Sequence, residues 1–143
     1  MTPKERLQTA LDAIVRRSQT ADAGALARLP QALDAGDLEA IKLLGQFGVL
    51  SMRDLAEQLR IPASTATSLV DRLEKKGLVE RSRNAADRRV IQLSLTAEGR
   101  EALNAVTQEH LRLCQELLES FGPQEQTVLA DLLERLAVKP PKT

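Results

Sequence analysis

Tryptophan and tyrosine are absent from the 143 residues, and phenylalanine occurs only as Phe47 and Phe121. A core must then be built from Leu, Val, Ile and Ala, and a platform of stacked aromatics for single-stranded nucleic acid is excluded. Cysteine occurs once, as Cys114, which rules out an internal disulfide framework and fits a reducing, cytoplasmic compartment. No apolar run approaches the ~18 residues that a bilayer requires, so no membrane span is expected. The first stretch, MTPKERLQTALDAIVRR, lacks the apolar centre of a signal peptide and reads as amphipathic. His110 and Cys114 share a helix side at i, i+4, but two ligands do not make a tetrahedral zinc site and no other Cys or His exists to complete one. Neither a metal nor a cofactor is expected. The Cys114 thiol is expected to be a small buried hydrophobe, inert for want of a cation beyond Arg112. No Ser-His-Asp set, Gly-rich phosphate loop or paired carboxylates appear, so an enzyme is not expected.

Net charge is missing too, because 20 Lys and Arg balance 20 Asp and Glu. The balance hides an asymmetry. Residues 1–50 carry six basic and six acidic side chains, residues 51–95 nine against six, and residues 96–143 five against eight. A basic middle beside an acidic end points to one face built for an anion.

Periodicity divides the chain into helices and a hairpin. Leu7, Ala10, Leu11, Ile14 and Val15 fall on one helical face, predicting a helix over about Pro3 to Gln19. Gly24, Pro30 and Gly36 punctuate the stretch that follows, which reads as a break. A second helix is expected over about Asp37 to Phe47. Ser51 can cap a third, with Asp54 at the positive end of its dipole, and Arg60-Ile61-Pro62 should stop it. Ala63 should begin a fourth helix that runs to Lys76, with Gly77 just past its end. Thr96 can cap a long helix to about Phe121, ended by Gly122-Pro123, and a last helix carries Val128, Leu129, Leu132, Leu133 and Leu136.

The fourth helix buries Ala66, Leu69, Val70 and Leu73 by spacing, leaving Ser64, Thr65, Thr67, Ser68, Asp71, Arg72 and Lys75 outward. Four small hydroxyl residues in five positions make a poor isolated helix. They suit one that lies close to another surface, since short hydroxyls meet phosphates or base edges without holding the backbone away. Two helices joined by a turn, the second smooth and basic at its end, form a helix-turn-helix signature. Alternating apolar residues around Val79 and over Val90 to Leu95 then predict a β-hairpin with the tip Asn84 to Arg89. A hairpin behind such a helix is a wing, and a wing arginine suits the narrow, negative minor groove. Arg81, Arg83, Arg88 and Arg89 would serve phosphates and groove, with Asp87 aiming one guanidinium by a two-pronged hydrogen bond. The residues expected to meet DNA are thus Ser64, Thr65, Thr67, Ser68, Arg72, Lys75, Arg81, Arg83, Asp87, Arg88 and Arg89.

With those residues in view, LSMRDLAEQLRIPASTATSLVDRLEKKGLVERSRNAADRRVIQLSLTAEGREAL, Leu50 to Leu103, resembles the winged helix-turn-helix core of the MarR family of transcriptional regulators. The matching pieces are Asp54-Leu55-Ala56, the block Leu69 to Ser82, Asp87-x-Arg89, and Leu95 to Gly99. The resemblance implies a homodimer on double-stranded DNA at a pseudo-palindromic operator, usually a repressor, with release by a small-molecule effector or cysteine oxidation. It makes Arg89 the wing arginine, with Asp87 as its partner. Ser68 stands where many members carry arginine, and Pro62 where a Ser or Thr cap is common. The scarcity of aromatics makes an aliphatic effector, or none, the expectation.

The expected fold is mainly α with a small β-wing in a single domain, 1–143. A winged helix-turn-helix core over 37–95 is flanked by N- and C-terminal dimerisation helices over 1–36 and 96–143. From another class, the alternative is a winged-helix protein-interaction module without operator binding. A strong salt dependence of duplex binding separates the two.

Overall fold

Thr2 opens the first helix with a capping box: its hydroxyl accepts from the Glu5 amide at 3.3 Å, while the Glu5 carboxylate accepts from the Thr2 amide at 2.7 Å. The computed structural model describes residues 1–138. The elements run α1 (Pro3–Arg28), α2 (Ala35–Phe47), β1 (Leu50–Ser51), α3 (Met52–Leu59), α4 (Ala63–Lys75), β2 (Val79–Arg83), β3 (Ile91–Leu95), α5 (Ala97–Leu118) and α6 (Pro123–Ala137). The fold is mainly α with a small antiparallel sheet, as the sequence predicts. Residues 139–143 of the expected C-terminal segment lie outside the described residues.

Three boundaries differ from expectation. Helix α1 does not stop at Gln19 but passes through Gly24 to Arg28. Alanines at 21, 23 and 25 are strong helix formers, and Ala25 is buried with Leu38 and Val106, which offsets the ~1 kcal/mol a mid-helix glycine costs. The chain leaves the helix at Leu29, extended at φ −76° and ψ 145°, as the residue before Pro30 must be. Helix α2 begins two residues before Asp37, because the Asp34 carboxylate caps it and Asp37 completes the box. Gly36 therefore lies inside a helix. Helix α5 ends at Leu118 and a tighter turn carries the chain to Phe121.

The helix-turn-helix follows its signals closely. Ser51 Oγ accepts from the Asp54 amide at 3.0 Å and starts α3, and Arg60, in the left-handed region at φ 56°, ends it. Pro62 starts α4 without a side-chain cap. Gly77 at φ 75° closes α4, with its amide bonded to the Glu74 carbonyl and the Leu78 amide to the Leu73 carbonyl. That paired closure requires a left-handed residue, which glycine supplies without strain.

The sheet order is β1-β3-β2, with Val79 opposite Leu95 and Arg83 opposite Ile91. Strand β1 pairs Leu50 with Leu93. Ile41 and Leu44 of α2, Leu55 of α3, Val70 and Leu73 of α4, Leu78 and Leu93 form the centre of the core. All four residues of the predicted α4 stripe are buried. The start of α5 is seated on the base of the hairpin. Thr96 Oγ1 donates to the Gly77 carbonyl at 2.6 Å, and a Cβ on Gly99 would stand 2.1 Å from the Leu78 carbonyl oxygen. Only glycine permits that approach.

Candidate nucleic-acid interface

Burying Ala66, Leu69, Val70 and Leu73 turns the other side of α4 to solvent. Ser64, Thr65, Thr67 and Ser68 are all exposed there. Thr67 Oγ1 donates back to the Ala63 carbonyl at 3.0 Å, which leaves its lone pairs outward. Thr65, Ser68 and Arg72 line an open cleft with Leu59, Ile61 and Leu69. Lys75 is exposed and forms no ion pair among the described residues.

The hairpin tip is built by its own side chains. Asn84 Oδ1 accepts from the amides of Ala86 at 2.7 Å and Asp87 at 3.3 Å, folding the tip as an Asx turn. Arg83 Nη1 donates to the Arg88 carbonyl at 2.8 Å, and so braces the tip from below. Asp87 then takes hold of Arg89. Its Oδ1 accepts from Arg89 Nε at 3.1 Å and from the Arg89 amide at 3.1 Å, and its Oδ2 accepts from Nη2 at 3.3 Å. The Arg89 side chain is 91% exposed, so the fork fixes its direction and leaves the guanidinium's outer edge free. Hydrogen bonds from the Arg89 side chain, then from its amide, hold the Asp87 carboxyl below the usual aspartate range. Arg88 is exposed beside it.

Two other expected DNA contacts are engaged within the chain. Arg72 Nη2 donates to Asp37 Oδ1 at 3.2 Å, and Lys76 Nζ reaches Asp37 Oδ2 at 3.5 Å. Asp37 is the one buried charged residue among those described. Arg81 is turned from the hairpin onto α4, where it pairs with Asp71 and lies 3.5 Å from Glu74. Asn84, Asp37, Asp71 and Glu74 are the residues that reading the sequence missed. Asn84 carried a local signal, an Asn two residues before the amide it binds. The three acids carried none, because their partners are set by the fold.

Away from this face, Cys114 corrects an expectation: it is exposed on α5, not buried among leucines. His110 pairs with Asp22 of α1, not with Cys114. Among the described residues, no cluster of three or more His, Cys, Asp or Glu could hold a metal ion. None of the described helices is long and apolar enough to cross a membrane.

A helix-turn-helix followed by a two-stranded hairpin, with small hydroxyls on one and a fixed arginine on the other, defines a winged helix-turn-helix protein. The MarR family profile matches residues 33–91. The transcriptional repressor MdtR of Bacillus subtilis is 32% identical over 107 residues, 75% of this chain and 69% of MdtR. A MarR family protein from Bacillus stearothermophilus superposes with a TM-score of 0.83 at 27% identity, covering 96% of each chain. NadR in complex with 4-hydroxyphenylacetate superposes at 0.66 with 28% identity, over 98% of this chain and 95% of NadR. The chain belongs to the MarR family. It spans 60% to 66% of the length of several other curated relatives, all of them named as transcriptional regulators.

Proposed function

We propose that this protein is a DNA-binding transcriptional regulator, a repressor that grips a pseudo-palindromic operator as a homodimer in the cytoplasm. Residues 37–95 form the DNA-binding core, with the helices on either side serving dimerisation. Helix α4 lies in the major groove and presents Ser64, Thr65, Thr67 and Ser68 to base edges and phosphates. Lys75, Arg83 and Arg88 meet phosphates, and Arg89 enters the neighbouring minor groove. The observation that carries this reading is the Asp87–Arg89 fork. A guanidinium held by both oxygens of a carboxylate yet 91% exposed has, among the described residues, no partner for its outer side.

The homodimer is supported by apolar surface that none of the described residues covers. Leu7, Leu11, Ile14 and Val15 of α1, and Val128, Leu132, Leu133 and Leu136 of α6, are each at least 43% exposed. Helix α6 buries none of its residues. Such stripes cost solubility unless a second copy removes them from water. A small-molecule effector belongs to the same proposal. It is supported by the NadR ligand and by an open cleft between the end of α1 and α4, lined by Leu26, Leu29, Arg72 and Lys76 among others.

Titrating salt against binding of an operator-bearing duplex, selected from random sequence, tests the reading. With ~6–10 phosphate contacts, affinity falls by roughly 10³ to 10⁵ between 50 and 200 mM salt. Arg89→Ala should weaken binding at least tenfold, near the ~1–3 kcal/mol of a good groove contact, with the melting temperature unchanged. Equal loss of stability would assign Arg89 to the fold. The engagement of Arg72 and Arg81 by carboxylates favours the second reading, a winged-helix module that binds protein. Salt-insensitive, weak duplex binding would select it.

A further inference from the structure

We propose that Arg81 acts as the anchor that sets the angle of the wing against helix α4, and is not itself a phosphate contact. The inference rests on the DNA-binding reading above and departs from the expectation that every wing arginine faces the duplex. Arg81 sits on β2 opposite Leu93, with its side chain 24% exposed against 91% for Arg89. Its guanidinium is folded onto α4 between Asp71, to which Nη2 donates, and Glu74, whose carboxylate lies 3.5 Å from Nε. The Nε is buried and makes no hydrogen bond of its own.

Those contacts decide the role by charge. A guanidinium with a buried nitrogen is stabilised where two carboxylates offset its desolvation, and Asp71 with Glu74 supplies both. The same two carboxylates would repel any phosphate brought close enough to reach Arg81. One turn of α4 thus points in two directions: Arg72 ties the helix to Asp37 of α2, and Asp71 with Glu74 ties it to the hairpin.

The lever explains why an anchor matters. From Arg81 to the tip is four to six residues at ~3.3 Å each, roughly 13–20 Å. A tilt of about 10° at the base then displaces Arg89 by roughly 2–3 Å, more than a hydrogen bond tolerates.

A mutant cycle between Arg81→Met and Arg89→Ala tests the proposal. If Arg81 acts through the orientation of the wing, Arg81→Met weakens duplex binding about tenfold and adds nothing further in the Arg89→Ala background. The pair Asp71→Asn with Glu74→Gln should weaken binding similarly, although it removes two negative charges from a DNA-facing side. Additive losses in the cycle, or tighter binding by the Asp71→Asn, Glu74→Gln protein, would overturn it by making Arg81 a direct contact. Amide hydrogen exchange supplies a readout free of DNA. Exchange over residues 79–90 should quicken at least fivefold in Arg81→Met, or in the carboxylate pair if that variant fails to fold, and stay unchanged in Arg89→Ala. Unchanged exchange overturns the anchor whatever the duplex does. Absence of duplex binding by the unaltered protein, with exchange behaving as expected, would remove the regulatory reading and leave the anchor standing.

Discussion

At the scale of single residues, the site is governed by carboxylates that occupy arginines. Asp87 uses both oxygens on Arg89 and is more acidic than a free aspartate for that reason. A folded-state pKa below the unfolded one means that the fork is intact above the ordinary carboxylate range. It is lost as pH falls through the lowered midpoint. A side-chain carbonyl titration by NMR should find the Asp87 midpoint below the ordinary aspartate value. Arg89→Ala should return it toward the ordinary value, and a midpoint that does not move would dissolve the fork in solution. Asp37 presents a different balance. It is buried, completes the capping box of α2 and answers both Arg72 and Lys76, whose side chains are 50% and 30% exposed. Losing a fully buried partner costs ~3–5 kcal/mol. With half-exposed cations able to turn to water, Asp37→Ala should cost about 2–4 kcal/mol in urea unfolding, the lost cap included.

At the scale of elements, boundaries follow whichever local rule the packing supports. Gly24 sits mid-helix in α1, and a Cβ placed there would meet nothing within 4 Å. Gly24→Ala should therefore raise stability by about 0.5–1 kcal/mol in a thermal melt; a loss would mean that the helix breaks there in solution. The helix-turn-helix and hairpin were legible in the residues because each boundary has a local cause: Ser51, Arg60, Pro62, Gly77 and Thr96 all act within their own turn. Helix α1 runs nine residues past its predicted end because the alanines around Gly24 and the burial of Ala25 outweigh that glycine as punctuation. Strand β1, two residues long, has too few positions to show a period. The same division runs through the site. Asp87 and Arg89 are two residues apart and readable, whereas Arg81 finds Asp71 across ten positions and Arg72 finds Asp37 across thirty-five. Partners that distant are chosen by how α2, α4 and β2 meet, which composition and spacing do not encode.

At the scale of the whole molecule, one end is finished and the other is open. The winged core closes around Ile41, Leu73, Leu78 and Leu93, while α6 contributes nothing to it. If a second copy covers α6, Leu132→Glu should raise the concentration for half-dissociation at least tenfold, ~1.4 kcal/mol, by sedimentation equilibrium. An unmoved midpoint would place the interface elsewhere. The tight seating of Gly99 on Leu78, with Thr96 bonded to Gly77, has a mechanical meaning for such a pair. There is no compliant spacer between the long rod α5 and the hairpin beside it, so a rotation of the rod is delivered to the hairpin undamped. In a homodimer of the kind proposed, whatever bends the junction of the two protomers would reset the gap between their outstretched arginines, and a change made far from the duplex would become a change in pitch.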